Sequence, residues 1–307
     1  MPTPTPSLVT RIGEADLKLL RVFRTVVESG GLSAAENQLN IGRSTISKYL
    51  ADLELRLDLK LCHRGPSGFA LTEEGATVLE AADRLLAAVM DFRIEVNEIK
   101  QNLVGVVRVA LFDQCGSNPE ARLSSAIRSF NQSAPAVNID LSLEPPNQIE
   151  SKVVSGQLDI GIIADYQRSG SLKYHPLYGE NMYLYCGRGH EFFDCPQSEL
   201  ELANVRSVNY AGIGVTSPNL HASQKLMLKR AATVQSEHAL AILILSGCYI
   251  GFLPDHLARD FEKQGRLKAV RPDEFHYRTT FSAAIRRSPE THRIAKLFLD
   301  ALVNEHT

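Results

Sequence analysis

Hydroxyl and cationic side chains recur at helical spacing just after residue 42, on one face of a predicted helix. This face carries Ser44, Ser47, Lys48 and Ala51; Arg43 stands at the start of the helix, and Thr45 is a further candidate DNA-binding residue. The opposite face is apolar and carries Ile46, Leu50, Leu53 and Leu57. Small residues let a helix enter the major groove of DNA, where hydroxyls and cations bond to base edges and phosphates. The pattern therefore predicts a DNA-reading helix, and the alternative is a helical hairpin with a solvated polar face.

Two shorter segments must position this helix. Apolar spacing predicts an amphipathic helix from Leu17 to Val27, and Gly30-Gly31 can supply the left-handed residue that ends it. Ser33 and Glu36 have the spacing of a capping box and predict the start of a second helix. Ser33 also counts among the candidate DNA-binding residues. The turn that follows would use Asn40-Ile41-Gly42, with the glycine at positive φ.

Residues 61–71 predict a β-hairpin with a glycine-rich tip. Leu61-Cys-His-Arg64 and Phe69-Ala-Leu71 are strand-like and flank Gly65-Pro-Ser-Gly68. A hairpin of this size can lie as a wing over the DNA backbone, with the arginine on a phosphate. The alternative is a surface hairpin without a ligand. The adjacent Cys62 and His63 lack a second pair of ligands, so no metal site is predicted there.

With these elements placed, residues 17–75 resemble the LysR-type transcriptional regulators. The matching positions are Ser33-Ala34-Ala35, Leu39, Ser47, Leu53-Glu54, Leu61-Cys62-His63-Arg64 and Leu71-Thr72-Glu73-Glu74-Gly75. The resemblance implies a winged helix-turn-helix, mostly α, that binds double-stranded promoter DNA and regulates transcription. Cys62 stands where the family usually has Phe. Gly42-Arg43 stands where it often has Ser/Thr-Gln, which bears on operator preference because Arg and Gln read different base edges.

A heptad pattern follows the predicted wing. Thr72 is expected to cap a long helix, with Glu73 and Glu74 at its positive end. Apolar residues then recur in alternating steps: Val78, Ala82, Leu85, Val89, Phe92, Val96 and Ile99. Such a seam usually pairs with a second copy, and the alternative is packing on its own domain. The resemblance implies a homodimer through this helix and a homotetramer of two dimers, with RNA polymerase as a further partner.

Strand-like and helix-like segments alternate beyond residue 105, which predicts an α/β domain with two largely parallel sheets. Strands are predicted at 106–111, 137–143, 158–164, 182–186, 205–210, 249–253 and 280–286. Helices are predicted at 148–155, 223–232, 236–246 and 290–304. Two segments, Gly156-Gln-Leu-Asp-Ile-Gly161 and Gly247-Cys-Tyr-Ile-Gly-Phe-Leu-Pro254, resemble recurring segments of the same family.

The resemblance implies that this part is a two-lobed, periplasmic-binding-protein-like effector domain with a ligand cleft between its lobes. The predicted organisation is a disordered tail at 1–15, a winged helix-turn-helix at 16–72, a dimerisation helix at 73–101, a hinge at 102–105 and the effector domain at 106–307. Lobe I would take 106–180 and 282–307, and lobe II 181–281. The chain would then cross between the lobes near Glu180 and Ser282.

Ligands of open α/β sheets sit beyond the carboxyl ends of strands, where helix N-termini point. The candidate effector-binding residues are Asp113, Gln114, Cys115, Ser117, Asn118, Asn147, Ile163, Ala164, Ser236 and Glu237. Asn147 is the predicted N-cap of one helix, and residues 235–238 open another. Free helix amides would suit an organic acid.

Four carboxylates also cluster in or near these loops: Asp113, Glu144, Asp165 and Glu237. They suggest the hypothesis that the effector carries a positive group as well as, or in place of, a carboxylate. An amino acid or an amine would qualify. The alternative is that these acids cap helices or face water.

Composition limits the remaining possibilities. The 307 residues are 44% hydrophobic and 22% charged, as in a globular protein of about two domains. No apolar run reaches the ~18 residues of a membrane span, and the start lacks a signal pattern, so the cytoplasm is the predicted location and no membrane partner is expected. The formal net charge is −2, so any basic patch must be local. Reduced thiols are expected for the five cysteines.

No catalytic constellation is present in the sequence. It has no Gly-x-Ser-x-Gly elbow, no Walker loop and no Cys-x-x-Cys pair, and its nine histidines show no His-x-x-x-His spacing. We therefore predict a non-enzymatic protein with no cofactor and no metal. A thiol-based redox sensor of the same fold is the alternative, because one branch of the family forms a regulatory disulfide. Cys186 and Cys195 match that pair poorly. A ligand-binding protein without a DNA role is the third possibility.

Overall fold

A computed structural model describes residues 13–65, 68–99, 103–112, 115–166, 168–214, 217–288 and 291–307. The chain divides into two compact units, Met1–Arg93 with Ser155–Gln157, and Ile94–Val154 with Leu158–Thr307. Most of the predicted tail at 1–15 lies outside the described residues, as does part of the predicted hinge at 102–105. No helix of the described part combines the length and apolar composition that crossing a membrane requires.

The first unit contains three helices, a hairpin and the start of a long helix. These are α1 (Glu14–Glu28), α2 (Leu32–Leu39), α3 (Arg43–Leu57), β1 (Cys62–Gly65), β2 (Gly68–Leu71) and α4 (Glu73–Ile99). The two strands are antiparallel, with Cys62 opposite Leu71. The predicted helix-turn-helix and hairpin are confirmed. Thr72 caps α4 as predicted, because its Oγ1 accepts the N–H of Gly75 at 2.9 Å.

The core of the first unit is built from the apolar faces that the spacing predicts. Phe23 and Val26 of α1 are fully buried, and they pack in one cluster with Ile46, Leu50 and Leu53 of α3. Each such side chain stabilises the fold by about 1.5–3 kcal/mol through loss of apolar surface to water. Because the apolar face of α3 packs in the core, the opposite face of α3 remains available for a partner.

The predicted capping box of Ser33 and Glu36 at the start of α2 is wrong. α2 begins at Leu32 with Gly31 as N-cap and without a side-chain cap, so Ser33 lies inside the helix. Glu36 does not reach back; its Oε1 accepts the N–H of Arg43 at 2.6 Å and so caps α3 instead. A carboxylate on the first N–H groups of a helix is favoured by the helix dipole.

The turn between α2 and α3 also differs from the prediction. Its left-handed residue is Asn40, with φ 52°. Gly42 has φ −68° and is the extended N-cap of α3. Asn tolerates the left-handed region better than most residues, so the turn places its positive φ one residue after α2. The prediction for the end of α1 is confirmed, because Gly30 has φ 75°.

In its described residues, the second unit is an α/β domain with seven α-helices and nine strands in one sheet. Its strands are β3 (Gly105–Leu111), β4 (Val137–Leu143), β5 (Ile160–Ala164), β6 (Leu172–Gly187), β7 (Tyr210–Ile213), β8 (Arg230–Val234), β9 (Ile250–Pro254), β10 (Leu267–Ala269) and β11 (His276–Arg286). Its helices are α5 (Leu123–Ser133), α6 (Pro146–Ser155), α7 (Leu202–Ser207), α8 (Pro218–Lys225), α9 (Glu237–Leu245), α10 (Asp255–Lys263) and α11 (Arg293–Asn304).

The strands form one nine-stranded sheet in the order β4-β3-β5-β11-β6-β9-β7-β8, with β10 paired to β6. β3 is parallel to β4 and β5, and β7 is parallel to β8 and β9. The long strands β6 and β11 are antiparallel to each other and join these two parallel sets. The predicted parallel sets are confirmed, but two separate sheets are not, because β6 and β11 hydrogen-bond across both lobes.

Two segments of lobe II have the opposite structure to the one predicted. Residues 205–210, predicted as a strand, end helix α7 and reach β7 only at Tyr210. Residues 223–232, predicted as a helix, contain the end of α8 and the start of β8. β8 alternates between half-buried and exposed residues, as an edge strand does. Its Ala-Ala pair has high helix propensity, which tertiary pairing overrides.

Candidate nucleic-acid interface and ligand cleft

An open groove of about 700 Å³ lies on the first unit, on the side away from its core. We call it the DNA groove; its lining is Gly30, Gly31, Leu32, Ser33, Ala34, Arg43, Ser44, Ser47, Arg64, Gly68 and Phe69. Five predicted DNA-binding residues are thus brought together. Thr45 and Lys48 of the predicted set do not line it, and Lys48 is exposed beside it on α3.

The N-termini of two helices line the DNA groove. Residues 32–34 begin α2, and Arg43 and Ser44 begin α3. Helix N-termini offer free N–H groups and a partial positive charge, which favour phosphate oxygens. The wing closes the groove through Gly68 and Phe69 of β2. This combination suits a duplex whose backbone runs between the wing and the two helix ends.

Arg64 has a second role that spacing did not indicate. Its guanidinium pairs with Glu54 of α3, and its Nη1 donates to the carbonyl oxygen of Ser47 at 3.1 Å. The side chain is 18% exposed. Arg64 therefore ties the wing to α3, while part of its side chain still borders the groove.

Glu54 is the centre of this arrangement. Its Oε1 accepts the N–H of Leu61 at 3.0 Å and of Cys62 at 3.3 Å, and its Oε2 accepts Lys60 Nζ at 3.1 Å. Burial acts to raise the pKa of Glu54, but the bonds from Leu61, Lys60 and Arg64 outweigh it and bring the pKa below its ordinary value of 4.5. The charged carboxylate thus fixes the wing onto α3. The Leu-Glu motif marks this residue in the sequence, although its role was not predicted.

The second unit contains a buried cleft where its two parallel strand sets meet. We call it the inner cleft; its lining is Phe112, Ala164, Glu180, Met182, Ile213, Ser217, Pro218, Asn219, Glu237, Tyr277, Thr279 and Phe281. Its floor comes from β6 and β11, and its walls from both lobes. The volume is about 20 Å³. That is space for one water-sized group.

A larger cavity of about 390 Å³ adjoins the inner cleft and shares Pro218, Tyr277 and Thr279 with it. We call it the outer pocket; its lining is Asp165, Tyr166, Pro218, His221, Ala222, Lys225, Leu226, Phe252, Glu274, Phe275, His276, Tyr277, Arg278, Thr279 and Thr280.

Among the predicted effector-binding residues that the structure describes, two line the inner cleft, namely Ala164 and Glu237. Asp113 and Gln114 lie outside the described residues. Ile163 points into the apolar core of lobe I, because successive residues of a strand face opposite sides. Ser236 is the N-cap of α9, as the predicted helix start requires, and accepts the N–H of Ala239 at 3.2 Å.

The remaining predicted residues have other positions. Asn147 is exposed and lies inside α6, so its prediction as an N-cap is wrong; the helix begins one residue earlier, at Pro146. Asn118 is buried, and its side chain bonds to Gly179 O at 3.4 Å and to Glu120 N at 2.9 Å. The buried Cys115 accepts the hydroxyl of Tyr178, with 2.8 Å between oxygen and sulfur.

Ser117 belongs to a chain of polar contacts that links the lobes. Its hydroxyl lies 2.9 Å from Nδ1 of His256, which begins α10 in lobe II. Nε2 of the same imidazole lies 3.1 Å from Oε2 of Glu180 in β6. All three residues are separated by more than sixty positions, so sequence spacing gave no signal of this contact.

The cysteines bear on the redox alternative. All five are free, and Cys186 is fully buried in β6. Burial raises the pKa of Cys186 to about 12 and that of Cys115 to about 12. Thiols with such values hold their proton at neutral pH and are poor nucleophiles toward peroxide. The geometry therefore favours a structural role for both.

A winged helix-turn-helix followed by a two-lobed α/β domain with a central cleft defines a class of protein, the ligand-responsive transcription regulator. Comparison with known proteins identifies the family within this class. Residues 17–76 match the family model described as a bacterial regulatory helix-turn-helix protein of the lysR family. Residues 100–307 match the model described as the LysR substrate binding domain. The chain belongs to the LysR family of transcriptional regulators.

Individual relatives agree over almost the whole chain. The transcriptional activator BauR of Pseudomonas aeruginosa is 35% identical over 297 residues, 97% of each chain. The regulator CrgA of Neisseria meningitidis is 29% identical and covers 93% of this chain and 95% of its own. The crystal structure of CbnR, a LysR family regulator, has a TM-score of 0.64 at 18% identity, covering 95% of this chain and 99% of that one. CbnR complexed with its target DNA has a TM-score of 0.62 at 20% identity.

Proposed function

We propose that a dimer of this chain reads a dyad-symmetric promoter element through two copies of α3, and that a small molecule in the inner cleft changes this binding. The observation that carries the proposal is the DNA groove, which gathers Ser33, Arg43, Ser44 and Ser47 beside two helix N-termini and the wing. The arrangement offers donors to phosphates at its edges and short polar side chains at its centre.

We assign different roles to the polar residues of the groove. Arg43 and Ser47, exposed or half-exposed on α3, read base edges. Ser33, Ser44, Thr45 and Lys48 contribute phosphate contacts, since phosphate bonds supply much of the affinity and little of the sequence preference. Arg64 positions the wing and adds positive charge at its base.

The assembly is part of the proposal. The long helix α4 would pair two copies into a homodimer, and two dimers would form a homotetramer. A two-fold dimer places its reading helices about one turn of DNA apart, roughly 34–36 Å. RNA polymerase would be the further partner, and the cytoplasm the location. The protein would act by binding, without an enzymatic activity of its own.

Effector control follows from the two-lobed domain. A ligand shifts a conformational equilibrium only if it binds one state more tightly than the other. The inner cleft meets this condition because its lining comes from both lobes, so occupation changes the contacts that hold them. The two lobes and the crossing strands at Glu180 and Ser282 would then form the moving parts.

The test is a binding measurement on the protein's own promoter region. We expect fluorescence anisotropy to show tighter binding to that fragment than to a scrambled fragment of equal length, by about 10³-fold or more. Affinity for both should fall as salt is raised. Equal affinity for the two fragments, with and without small molecules, would end the proposal.

A further inference from the structure

The two carboxylates that line the outer pocket, Asp165 and Glu274, are both paired with arginines outside its lining. Asp165 accepts Nε of Arg168 at 2.8 Å and Nη2 at 2.5 Å. Oε2 of Glu274 lies 2.5 Å from Nη2 of Arg271. The bonds from Arg168 hold the pKa of Asp165 below its ordinary value of 3.8. Both acids of the pocket are therefore already balanced by a cation.

The cations of the pocket lining are less completely paired. Arg278 donates to Asn181 Oδ1 at 3.1 Å and to Glu120 Oε2 at 3.2 Å, so its charge is shared with an acid. Lys225 ends α8, and no described residue bonds to its ammonium group or pairs with it. With each ion pair counted as neutral, Lys225 leaves the pocket with a positive charge. A cleft with an excess of one sign concentrates ligands of the opposite sign.

A second donor lies beside this lysine. His221 precedes Lys225 by one turn of α8, so the two side chains share a face of the helix, and both line the outer pocket. Neither ring nitrogen of His221 has a hydrogen-bond partner within the described ranges. An imidazole N–H and an ammonium group one turn apart can donate to the two oxygens of one carboxylate.

The outer pocket also offers apolar surface. The ring of Tyr166 is 36% exposed and lies 5.9 Å, between centroids, from the ring of His221. The half-buried Leu226 lines the same cavity. Covering an exposed ring with an apolar group is favourable because it removes both surfaces from water. The volume of about 390 Å³ is in the range of small-molecule sites.

The outer pocket draws its lining from both lobes. Tyr166 follows β5 in lobe I, whereas His221 and Lys225 belong to α8 in lobe II. The ring contact between Tyr166 and His221 therefore crosses from one lobe to the other. A ligand in this position touches both lobes, so its affinity depends on how they are arranged, as effector control requires.

We propose that the effector is an organic acid with an apolar body, whose carboxylate binds Lys225 and His221 and whose body covers the ring of Tyr166. The inference rests on the proposed function for the existence of an effector. It adds the chemical class, and it extends the effector site from the inner cleft into the outer pocket, which shares Pro218 and Tyr277 with the cleft.

The test uses the full-length protein and four compounds: phenylacetate, the neutral phenylacetamide of the same shape, benzylamine and acetate. Phenylacetate should raise Tm by roughly 5 °C at about 100 times its Kd, since a ligand of the native state stabilises it. Calorimetric titration should show phenylacetamide binding at least about 5-fold more weakly, because it lacks the charge. Benzylamine and acetate should leave Tm unchanged. Equal binding of phenylacetamide, stabilisation by benzylamine, or no stabilisation by phenylacetate overturns the proposal.

Variants locate the effect. Lys225→Gln should weaken phenylacetate binding by about 5-fold, as for loss of a partly exposed ion pair, and leave phenylacetamide unaffected. His221→Phe keeps a ring beside Tyr166 and should lower the same affinity by a smaller factor. Tyr166→Ala should weaken both compounds alike. Lys229→Gln is the matched control, because Lys229 is exposed just beyond α8 and lies outside both cavities.

Two results with these variants contradict the assignment. One is unchanged phenylacetate affinity in Lys225→Gln. The other is an equal loss in Lys229→Gln, which would show a response to the overall charge of the protein and not to the pocket.

The same preparations separate this inference from the proposed function. Binding to the promoter fragment is measured without any compound. A protein that prefers its promoter but does not distinguish phenylacetate from phenylacetamide refutes the acid site alone. A protein that binds phenylacetate through Lys225 but shows no promoter preference refutes the regulatory function alone.

Discussion

The DNA groove and the inner cleft handle polar groups in opposite ways. Arg43 and Ser44 are exposed in the groove and Lys48 is exposed beside it, and the partly buried carboxylate of Glu54 is satisfied by bonds from Lys60, Leu61 and the wing. In the inner cleft, Glu180 and Glu237 are buried and the Tyr277 hydroxyl has no partner among the described residues. The groove offers donors outward, whereas the cleft places carboxylates and a hydroxyl inside the second unit.

This difference indicates how single substitutions should affect each site. A surface that projects exposed cations loses binding gradually as single residues are removed. A scaffold held by one buried carboxylate loses its shape at once when that carboxylate goes, because a buried unpaired group costs more than a surface contact contributes. Substitutions can therefore distinguish residues that hold the fold from residues that touch a ligand, and effects in the first unit from effects in the second.

The largest effects are expected from two glycines, one in each unit. A Cβ at Gly75 would overlap the carbonyl oxygen of Leu61, and a Cβ at Gly187 would overlap the carbonyl oxygen of Ile244. Because backbone cannot yield cheaply, each Ala substitution should lower the free energy of unfolding by about 3 kcal/mol. Urea unfolding measures this loss of stability.

The pair also tests whether promoter binding depends more on the first unit than on the second. Gly75→Ala should abolish promoter binding, whereas Gly187→Ala should weaken it less, because its clash lies in the second unit. Gly116→Ala is the control, since nothing lies within 4 Å of its Cβ position. Equal loss of promoter binding in Gly75→Ala and Gly187→Ala would contradict this expectation.

The next effect is that of Glu54→Gln. The Gln amide oxygen can still accept the N–H groups of Leu61 and Cys62, but its NH2 group would face the Arg64 guanidinium and the Lys60 ammonium in place of a carboxylate oxygen. The free energy of unfolding should therefore fall by about 2–3 kcal/mol. Promoter and scrambled fragments should lose affinity alike, because the wing is displaced. Glu28→Gln is the matched control: its pair with Arg24 is exposed, and the change should cost less than about 0.5 kcal/mol.

The lowered pKa of Glu54 predicts that the stability of the protein depends on pH. The pKa of Glu54 in the folded protein lies below its ordinary value of 4.5. Its contribution to stability is therefore fully present above about pH 4.5 and is lost as pH falls through the lower, folded value. Thermal unfolding between pH 3 and pH 6, with Glu54→Gln as reference, measures this component. A wild-type curve that runs parallel to the variant's throughout would show that Glu54 contributes nothing by its charge.

A smaller, more specific effect is expected from Arg43→Ala. If Arg43 reads a base edge, its loss should reduce discrimination between operator variants by about 1–3 kcal/mol at one position. Affinity for scrambled DNA should change little. Lys48→Ala, exposed on the same helix, should weaken all fragments alike and reduce the salt slope by about 1. If Arg43→Ala weakened all fragments alike and Lys48→Ala changed the base preference, the roles assigned to Arg43 and Lys48 would be wrong.

The sequence predicted the DNA groove better than the cleft for a physical reason. Residues of one helix face are fixed by local spacing, so the apolar and polar sides of α3 followed from its residue types alone. The capping box at Ser33 was wrong because Glu36 has a better use, the N–H of Arg43 at 2.6 Å, which only the folded turn brings near. Glu54 was visible as a motif, but its bonds to the wing depend on the hairpin's position.

Which residues line the cleft depends on the register between paired strands, and the local sequence pattern of a strand does not determine that register. Strands were predicted at 182–186 and 280–286, whereas β6 begins at Leu172 and β11 at His276. Glu180 and Tyr277 therefore lay just outside the predicted strands and were missed as site residues. Pairing of β6 with β11, with Met182 opposite Tyr277, brings both to the cleft floor. Glu237, which opens a helix after a strand, also lines the cleft, and its role as an effector-binding residue stays a prediction.

The central claim is that paired copies of α3 occupy adjacent turns of duplex DNA. Hydroxyl-radical footprinting of the promoter region with the full-length protein tests it most directly. We predict two protected half-sites on one face of the duplex, separated by about one helical turn and related by a dyad, and their loss with Gly75→Ala. A single protected patch, or uniform protection without symmetry, would contradict the account.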